Sequence, residues 1–280
     1  MISMGAVKMW DRRGYDRDDP IFEISFEKDI VYPNGDKLPT IWITEPVFDD
    51  EGNVTGRTYT MFYPWHDDPE GDNALFYGSR YYEEGMGYTS AHDHDKRIDC
   101  FRAAEVLYRH AAGQGSAIAY LFLGYIYGYD RCEGRYWVDL AMLNTDEDYE
   151  RPYPREERAF ECFGVAARAD IPEACYKLGD LYRDGVGCEP NAAEAFRWYV
   201  RASELAVRER PVILGSIALR LGVCYEEGLG CDVDFSHALE WYEKAVSGLE
   251  FAVEHGESWY EKALAAARAG VRRCRQELAL

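Results

Sequence analysis

Between residues 73 and 248 the chain alternates two patterns of small and apolar positions. The first appears in NALFYGSRYYEEGMG (73–87), IAYLFLGYIYGYDRC (118–132), EACYKLGDLYRDGVG (173–187) and IALRLGVCYEEGLG (217–230). With the small residues Ser79, Gly124, Gly179 and Gly222 as reference, Tyr82, Tyr127, Tyr182 and Tyr225 follow three positions later. Ala74, Ala119, Ala174 and Ile217 precede the reference by five. The second pattern is Ala-x-x-bulky-bulky-x-x-Ala, at Ala104–Ala111, Ala159–Ala166, Ala195–Ala202 and Ala238–Ala245. Positions 0, 3, 4 and 7 share one face of an α-helix, so each pattern predicts a helix with one face buried. Alanine at both ends of that face admits a neighbouring helix, and the bulky pair fills the space beside it.

A pair of glycines follows the first pattern at Gly85 and Gly87, Gly185 and Gly187, and Gly228 and Gly230; the second copy carries Asp130 and Cys132 instead. Glycines so placed predict a left-handed stop that turns the chain back. Each unit then reads as a helix hairpin that buries its apolar face only by stacking on neighbours. The reference positions lie 45, 55 and 43 residues apart, more than the ~34 residues of a compact helix hairpin. The excess falls in the loops at 88–99 and 131–157, and loops of such length often carry function.

These patterns resemble the Sel1-like repeat, a relative of the tetratricopeptide repeat whose signature is A-x-x-x-x-L-G-x-x-Y-x-x-G-x-G, a loop, then A-x-x-W-Y-x-x-A-A. Ala174 to Ala202 match it nearly throughout, the fourth copy closely, and the first two more loosely. The resemblance implies an all-α, right-handed α-solenoid of about four helix-hairpin repeats over 71–249. It also implies a scaffold that binds protein or peptide rather than an enzyme. Secreted, cysteine-rich members of the family pair cysteines between the two helices of a repeat. Here Cys175 has Ala166 and Ala167 in the preceding second helix, a departure that argues against such a framework.

The ends follow other periods. Residues 21–27, 40–48 and 54–64 have strand-like composition separated by turn residues, predicting a hairpin or three-stranded sheet within 1–70, with Pro46 suited to an edge. This segment is either a cap on the first repeat or a recognition module. Residues 250–280 read as a capping helix with Trp259, Leu264, Ala267 and Val271 facing the fourth repeat.

Charge narrows the partners. With 31 Lys+Arg against 51 Asp+Glu, the net charge is −20, which disfavours nucleic acid and anionic membranes. No run approaches the ~20 apolar residues of a membrane span, and the N-terminus lacks a signal-peptide core. A cytoplasmic location, with the eight cysteines reduced, is the expectation. No nucleotide-binding, hydrolase-elbow or zinc-protease motif stands in a meaningful context, and no cofactor is implied. His92-Asp93-His94-Asp95 has metal-ligand character, but no further ligand follows at zinc spacing.

Repeat arrays bind along the face lined by their first helices. The variable positions two before and one after each reference are Tyr77 and Arg80, Phe122 and Tyr125, Lys177 and Asp180, and Arg220 and Val223, with Arg183 one turn on. Aromatics fall in the first two copies and basic residues in the last two. The pattern suggests a groove for an extended peptide with apolar anchors at one end and acidic residues at the other. Two alternatives stay open: an immunity or inhibitor protein neutralising a basic toxin, and a metal-dependent enzyme with its site in the 88–99 or 131–157 loops.

Overall fold

A computed structural model describes residues 22–31, 37–48, 54–62, 71–134, 154–206 and 211–279. The described chain divides into two compact units, Met1–Pro154 and Arg155–Leu280. Of the 131–157 loop, residues 135–153 lie outside the described residues.

In the first unit, β1 (Phe22–Val31), β2 (Lys37–Phe48) and β3 (Val54–Phe62) form an antiparallel sheet in the order β1-β2-β3. The expected sheet is present, but Pro46 lies on its central strand rather than an edge strand. The register explains this: β1 pairs with β2 only as far as Phe22↔Ile43, whereas Pro46 pairs with Arg57 of β3. Pro46 thus has a ladder neighbour on one side only, and its missing N–H costs no ladder bond on the other.

Three helices follow, α1 (Asp72–Gly87), α2 (His94–Gly113) and α3 (Ala117–Gly128). β1 and β2 lie against α2, which packs between α1 and α3. Ser116 caps α3 by accepting from the Ala119 N–H.

The second unit holds α4 (Arg155–Arg168), α5 (Pro172–Asp184), α6 (Ala192–Leu205), α7 (Pro211–Glu227), α8 (Phe235–Glu254) and α9 (Glu261–Glu277). Each helix packs on the next, and α9 touches both α7 and α8. The two helices predicted for the second repeat, α3 and α4, fall in different units.

Burial follows the predicted frame. Ala195, Tyr199, Ala202, Ala238, Tyr242 and Ala245 are all buried, while Trp198 and Trp241 are half-buried. The reference glycine makes room for the tyrosine. A Cβ on Gly179 would lie 2.5 Å from Tyr199 Cε1, and one on Gly222 would lie 2.7 Å from Tyr242 Cδ1.

The turns are also written in the repeat. Gly187 and Gly230 have φ of 69° and 76°, and a Cβ at either would meet a backbone carbonyl (Glu156 O and Ala192 O) at 2.2 Å. The N–H of Val186 donates to Leu181 O, and that of Leu229 to Cys224 O, closing both helices with the same left-handed cap. The Cys188 and Cys231 thiols donate to those same carbonyls, at 3.6 and 3.4 Å. Asn191 and Asp234 then cap α6 and α8 through the Glu194 and His237 N–H groups.

The first copy departs from this scheme. α1 runs on through Gly85 to Gly87, neither of which has positive φ. The physical reason for glycine at 85 is close approach, since Phe101 of α2 would sit 3.1 Å from its Cβ. In the second copy Asp130 takes the left-handed conformation (φ 48°) without glycine, its carboxylate accepting from the Gly134 N–H. All eight cysteines are free thiols.

At the C-terminus, the predicted 250–280 helix is two pieces: 250–254 belong to α8, and α9 starts at Glu261. Leu264 and Ala267 are buried against Tyr242 and Leu249, with Val271 at the edge of that core, as expected. Trp259 is not: it is 71% exposed in a single 3₁₀ turn, Ser258–Tyr260, ahead of α9.

Candidate functional site: the first-helix face

In the second unit the first helices are α5 and α7. Asp180 of α5 receives Arg220 of α7 in a two-pronged contact, Nε to Oδ1 at 2.6 Å and Nη2 to Oδ2 at 2.5 Å. Arg220 also donates to Ser216 O, and its guanidinium lies 4.6 Å above the Tyr176 ring. Tyr199 of α6 donates its hydroxyl to Asp180 Oδ1 at 2.8 Å. Arg183, one turn further, forks onto Asp184 and lies 3.6 Å from Asp180. Lys177 sits 5.3 Å over the Tyr176 ring. Val223 packs at the edge of the α7–α8–α9 core.

The electrostatics follow from this geometry. Burial alone pushes the Asp180 carboxyl up, but the charge and hydrogen bonds of Arg220, with Arg183 and Lys177, bring it below the usual carboxylate range. Burial first and the Asp180 charge second raise the Tyr199 hydroxyl well above its ordinary value. At neutral pH the cluster therefore holds an ionised Asp180 between a neutral tyrosine and two guanidinium groups.

In the first unit, Tyr77 meets Phe76 edge-on at 5.2 Å and is half-buried, as is Arg80. The Phe122 ring stacks on Tyr108 at 5.0 Å and tilts against Tyr82 at 5.3 Å, which engages it in packing between helices. Tyr125 lies 5.8 Å from Tyr129, which is 52% exposed.

The structure thus gathers Lys177, Asp180, Arg183 and Arg220 into one cluster. Sequence reasoning missed two tyrosines that serve that face, namely Tyr176 and Tyr199. A usable signal was present: Asp180 and Arg220 are opposite charges at variable positions of consecutive first helices.

The loop histidines sit elsewhere. His94 Nε2 is 3.2 Å from Glu133 Oε2, and Arg97 donates to the other oxygen of that carboxylate. His92 is exposed in the 3₁₀ turn Ala91–Asp93. Among the described residues no three His, Cys, Asp or Glu side chains come together as metal ligands do. Burial lifts the thiols of Cys175 to about 11 and of Cys224 to about 12, leaving both protonated at neutral pH. No helix among the described residues is long and apolar enough to cross a membrane.

The Sel1 repeat model matches residues 172–207 and 218–248, which are the third and fourth copies. No curated protein matches the chain. Among solved structures, a Sel1 repeat protein from Oxalobacter formigenes is similar, with 24% identity over 50% of this chain and 87% of that one and a TM-score of 0.36. So is c5321, a protective antigen present in uropathogenic Escherichia coli strains displaying an SLR fold, with 18% identity over 74% of this chain and 54% of that one and a TM-score of 0.30.

Proposed function

We propose that this chain, which is a Sel1 repeat protein, binds a protein or peptide partner on the first-helix face of its repeats. Sel1 repeat proteins are generally protein-interaction scaffolds, and the finer reading here concerns where the partner sits. The observation that carries it is the Arg220–Asp180 clamp. It joins consecutive first helices directly and holds the polar side chains between them in one arrangement before any partner arrives. A surface ordered in advance loses less conformational entropy on binding. Lys177 and Arg183 border the clamp and supply charge at the edge of the face, where it governs specificity and encounter rate more than raw affinity. In the first unit, Tyr77, Arg80, Phe122 and Tyr125 are the corresponding first-helix positions, and Tyr125 beside exposed Tyr129 offers the aromatic contact there.

The test begins with affinity capture from a native extract, identification of the bound protein, and calorimetry with the purified partner. Lys177→Ala, Arg183→Ala and Val223→Ala should each weaken binding, as should Tyr125→Ala. Trp241→Ala, on second helix α8, should leave it unchanged. Full affinity in all four first-helix variants, together with loss in Trp241→Ala, would move the site to the opposite face and overturn the reading.

A further inference from the structure

The second repeat closes its first helix with an arginine where the other repeats carry an apolar residue. Arg131 follows Asp130, whose φ is 48°, and its backbone N–H donates to Ile126 O at 2.9 Å. Val186 and Leu229 stand at the same point of the third and fourth repeats, with the same bond to Leu181 O and Cys224 O. Met86 holds that position in the first repeat. An apolar residue there packs back on the last turns of the helix it closes. Arg131 instead lays its guanidinium against two rings, 5.5 Å from the centre of Phe101 on α2 and 5.3 Å from that of Tyr129.

That guanidinium has no anion. Its Nε is shut off from solvent and meets no acceptor, and no hydrogen bond or ion pair among the described residues reaches its other nitrogens. A buried donor without an acceptor is destabilising, and the ring faces offset only part of the loss. The nearby carboxylates are engaged elsewhere. Asp130 accepts from the Gly134 N–H at 3.2 Å. Glu133 holds Arg97 at 2.7 Å and His94 at 3.2 Å. Glu105 is fully buried, accepts from the Tyr127 hydroxyl at 3.1 Å and faces the Cys132 thiol at 3.9 Å. The neighbouring Arg102 lies 3.8 Å from Asp99. Arg131 is left with an uncommitted charge, and the residue is only partly buried, so the Nη tip of its side chain reaches the surface.

A guanidinium held against rings presents its outer N–H groups in a fixed plane, which a carboxylate meets with both oxygens. The rings displace water from its flanks and so strengthen the pairing. The net charge of −20 repels an acidic polymer from a distance. Screening limits that repulsion to about 8 Å at physiological salt, which leaves a single carboxylate free to dock. Tyr129 is 52% exposed and Tyr125 lies 5.8 Å from it, so the arginine borders the aromatic part of the first-helix face.

We propose that Arg131 receives one carboxylate of a partner peptide, an acidic side chain or a chain terminus, beside the Tyr125 and Tyr129 rings. This rests on the first-helix face reading for its place on the molecule and adds to it the chemistry of the partner.

The experiment uses the full chain, nitrogen-labelled, and three probes: an acetylated and amidated Ala-Glu-Ala peptide, its Ala-Gln-Ala counterpart, and acetylated tri-alanine with a free carboxylate. The Arg131 Nε–H resonance is assigned by its disappearance in Arg131→Leu. The glutamate peptide should shift it in a saturable way, and the glutamine peptide should not. A shift with tri-alanine alone would make the ligand a chain terminus, and shifts with both acids would make it any accessible carboxylate. Followed at neighbouring amide resonances, Arg131→Gln and Arg131→Leu should each weaken binding of the acidic peptide about fivefold. Tyr129→Ala, which removes one supporting ring, should weaken it about twofold. Arg131→Leu should melt no lower than the wild type, because Leu229 fills the same position in the fourth repeat, and this separates lost binding from lost fold. Acidic-peptide binding unchanged in Arg131→Leu, or a glutamine peptide that shifts the resonance as far as the glutamate one, would overturn the proposal. That outcome differs from failure of the face reading, which is judged on Lys177, Arg183 and Val223 with the native partner.

Discussion

The third and fourth repeats build the same clamp in two ways. In the third, Tyr199 donates to Asp180, one position after the reference glycine, and Arg220 of the next first helix grips the carboxylate. In the fourth, Tyr242 donates to Glu226, four positions after the glycine, and Arg273 of α9 grips it. The longer glutamate one turn on reaches the point that the aspartate reaches from the preceding turn. α9 therefore stands where a further first helix would stand, and the Tyr242 ring lies between Gly222 and Gly270. The difference lies in solvent. The Arg220 side chain is 20% exposed and that of Arg273 is 52% exposed. Both carboxylates are shielded, at 16% and 11% exposed, so the contrast lies in the arginines: removing a carboxylate strands a shielded Arg220 but leaves an exposed Arg273 to water. The clamp inside the array thus joins two first helices, and the clamp at its end secures a terminal helix.

The comparison is broken most severely by Asp180→Ala, which strands Arg220 and should cost about 3 kcal/mol in urea unfolding. Gly179→Ala should cost about 2 kcal/mol, because the new methyl overlaps the Tyr199 ring with Ala195 O close behind it. Gly222→Ala, against Tyr242 alone, should cost slightly less by the same measurement. Tyr199→Phe and Tyr242→Phe each remove one hydroxyl donor to a carboxylate and should cost about 1 kcal/mol. Arg273→Ala should cost about 1 kcal/mol, since the arginine itself is half exposed and Tyr242 still donates to the Glu226 carboxylate left behind.

Acid sharpens the contrast. The Asp180 and Glu226 carboxyls are both held below their ordinary values. Their stabilisation is therefore fully present above the unfolded carboxylate range, about pH 4, and is lost as pH falls through the folded values. Thermal melts of Asp180→Asn should show a shallower decline below about pH 4 than those of the wild type. A decline equally steep in both would remove Asp180 as a source of the acid sensitivity.

The repeat was legible because it is local. Alanine spacing, the tyrosine three after the reference, and the glycines at 185, 187, 228 and 230 report a helix face and a left-handed turn, both set within a few residues. Trp259 was misplaced because helical spacing was extended backward past Glu261, where α9 starts, into the 3₁₀ turn Ser258–Tyr260. Gly85 was misread because glycine serves close packing as well as turning, and the residue alone does not separate the two uses; Gly87 faces open space and serves neither. The site residues were named individually, but Asp180 and Arg220 are 40 positions apart, and their opposite charges at variable first-helix positions were the one signal of a pairing that spacing does not report.

By itself, then, the sequence determined the helix hairpins, their buried faces and the glycine turns of the last two repeats, since each depends on neighbours within one or two turns of chain. Only the tertiary structure decided that Arg220 spends its charge on Asp180, that Phe122 packs inward, and that Trp259 stands in solvent. Those outcomes depend on which helix arrives beside which, and on how much water the stacking leaves behind.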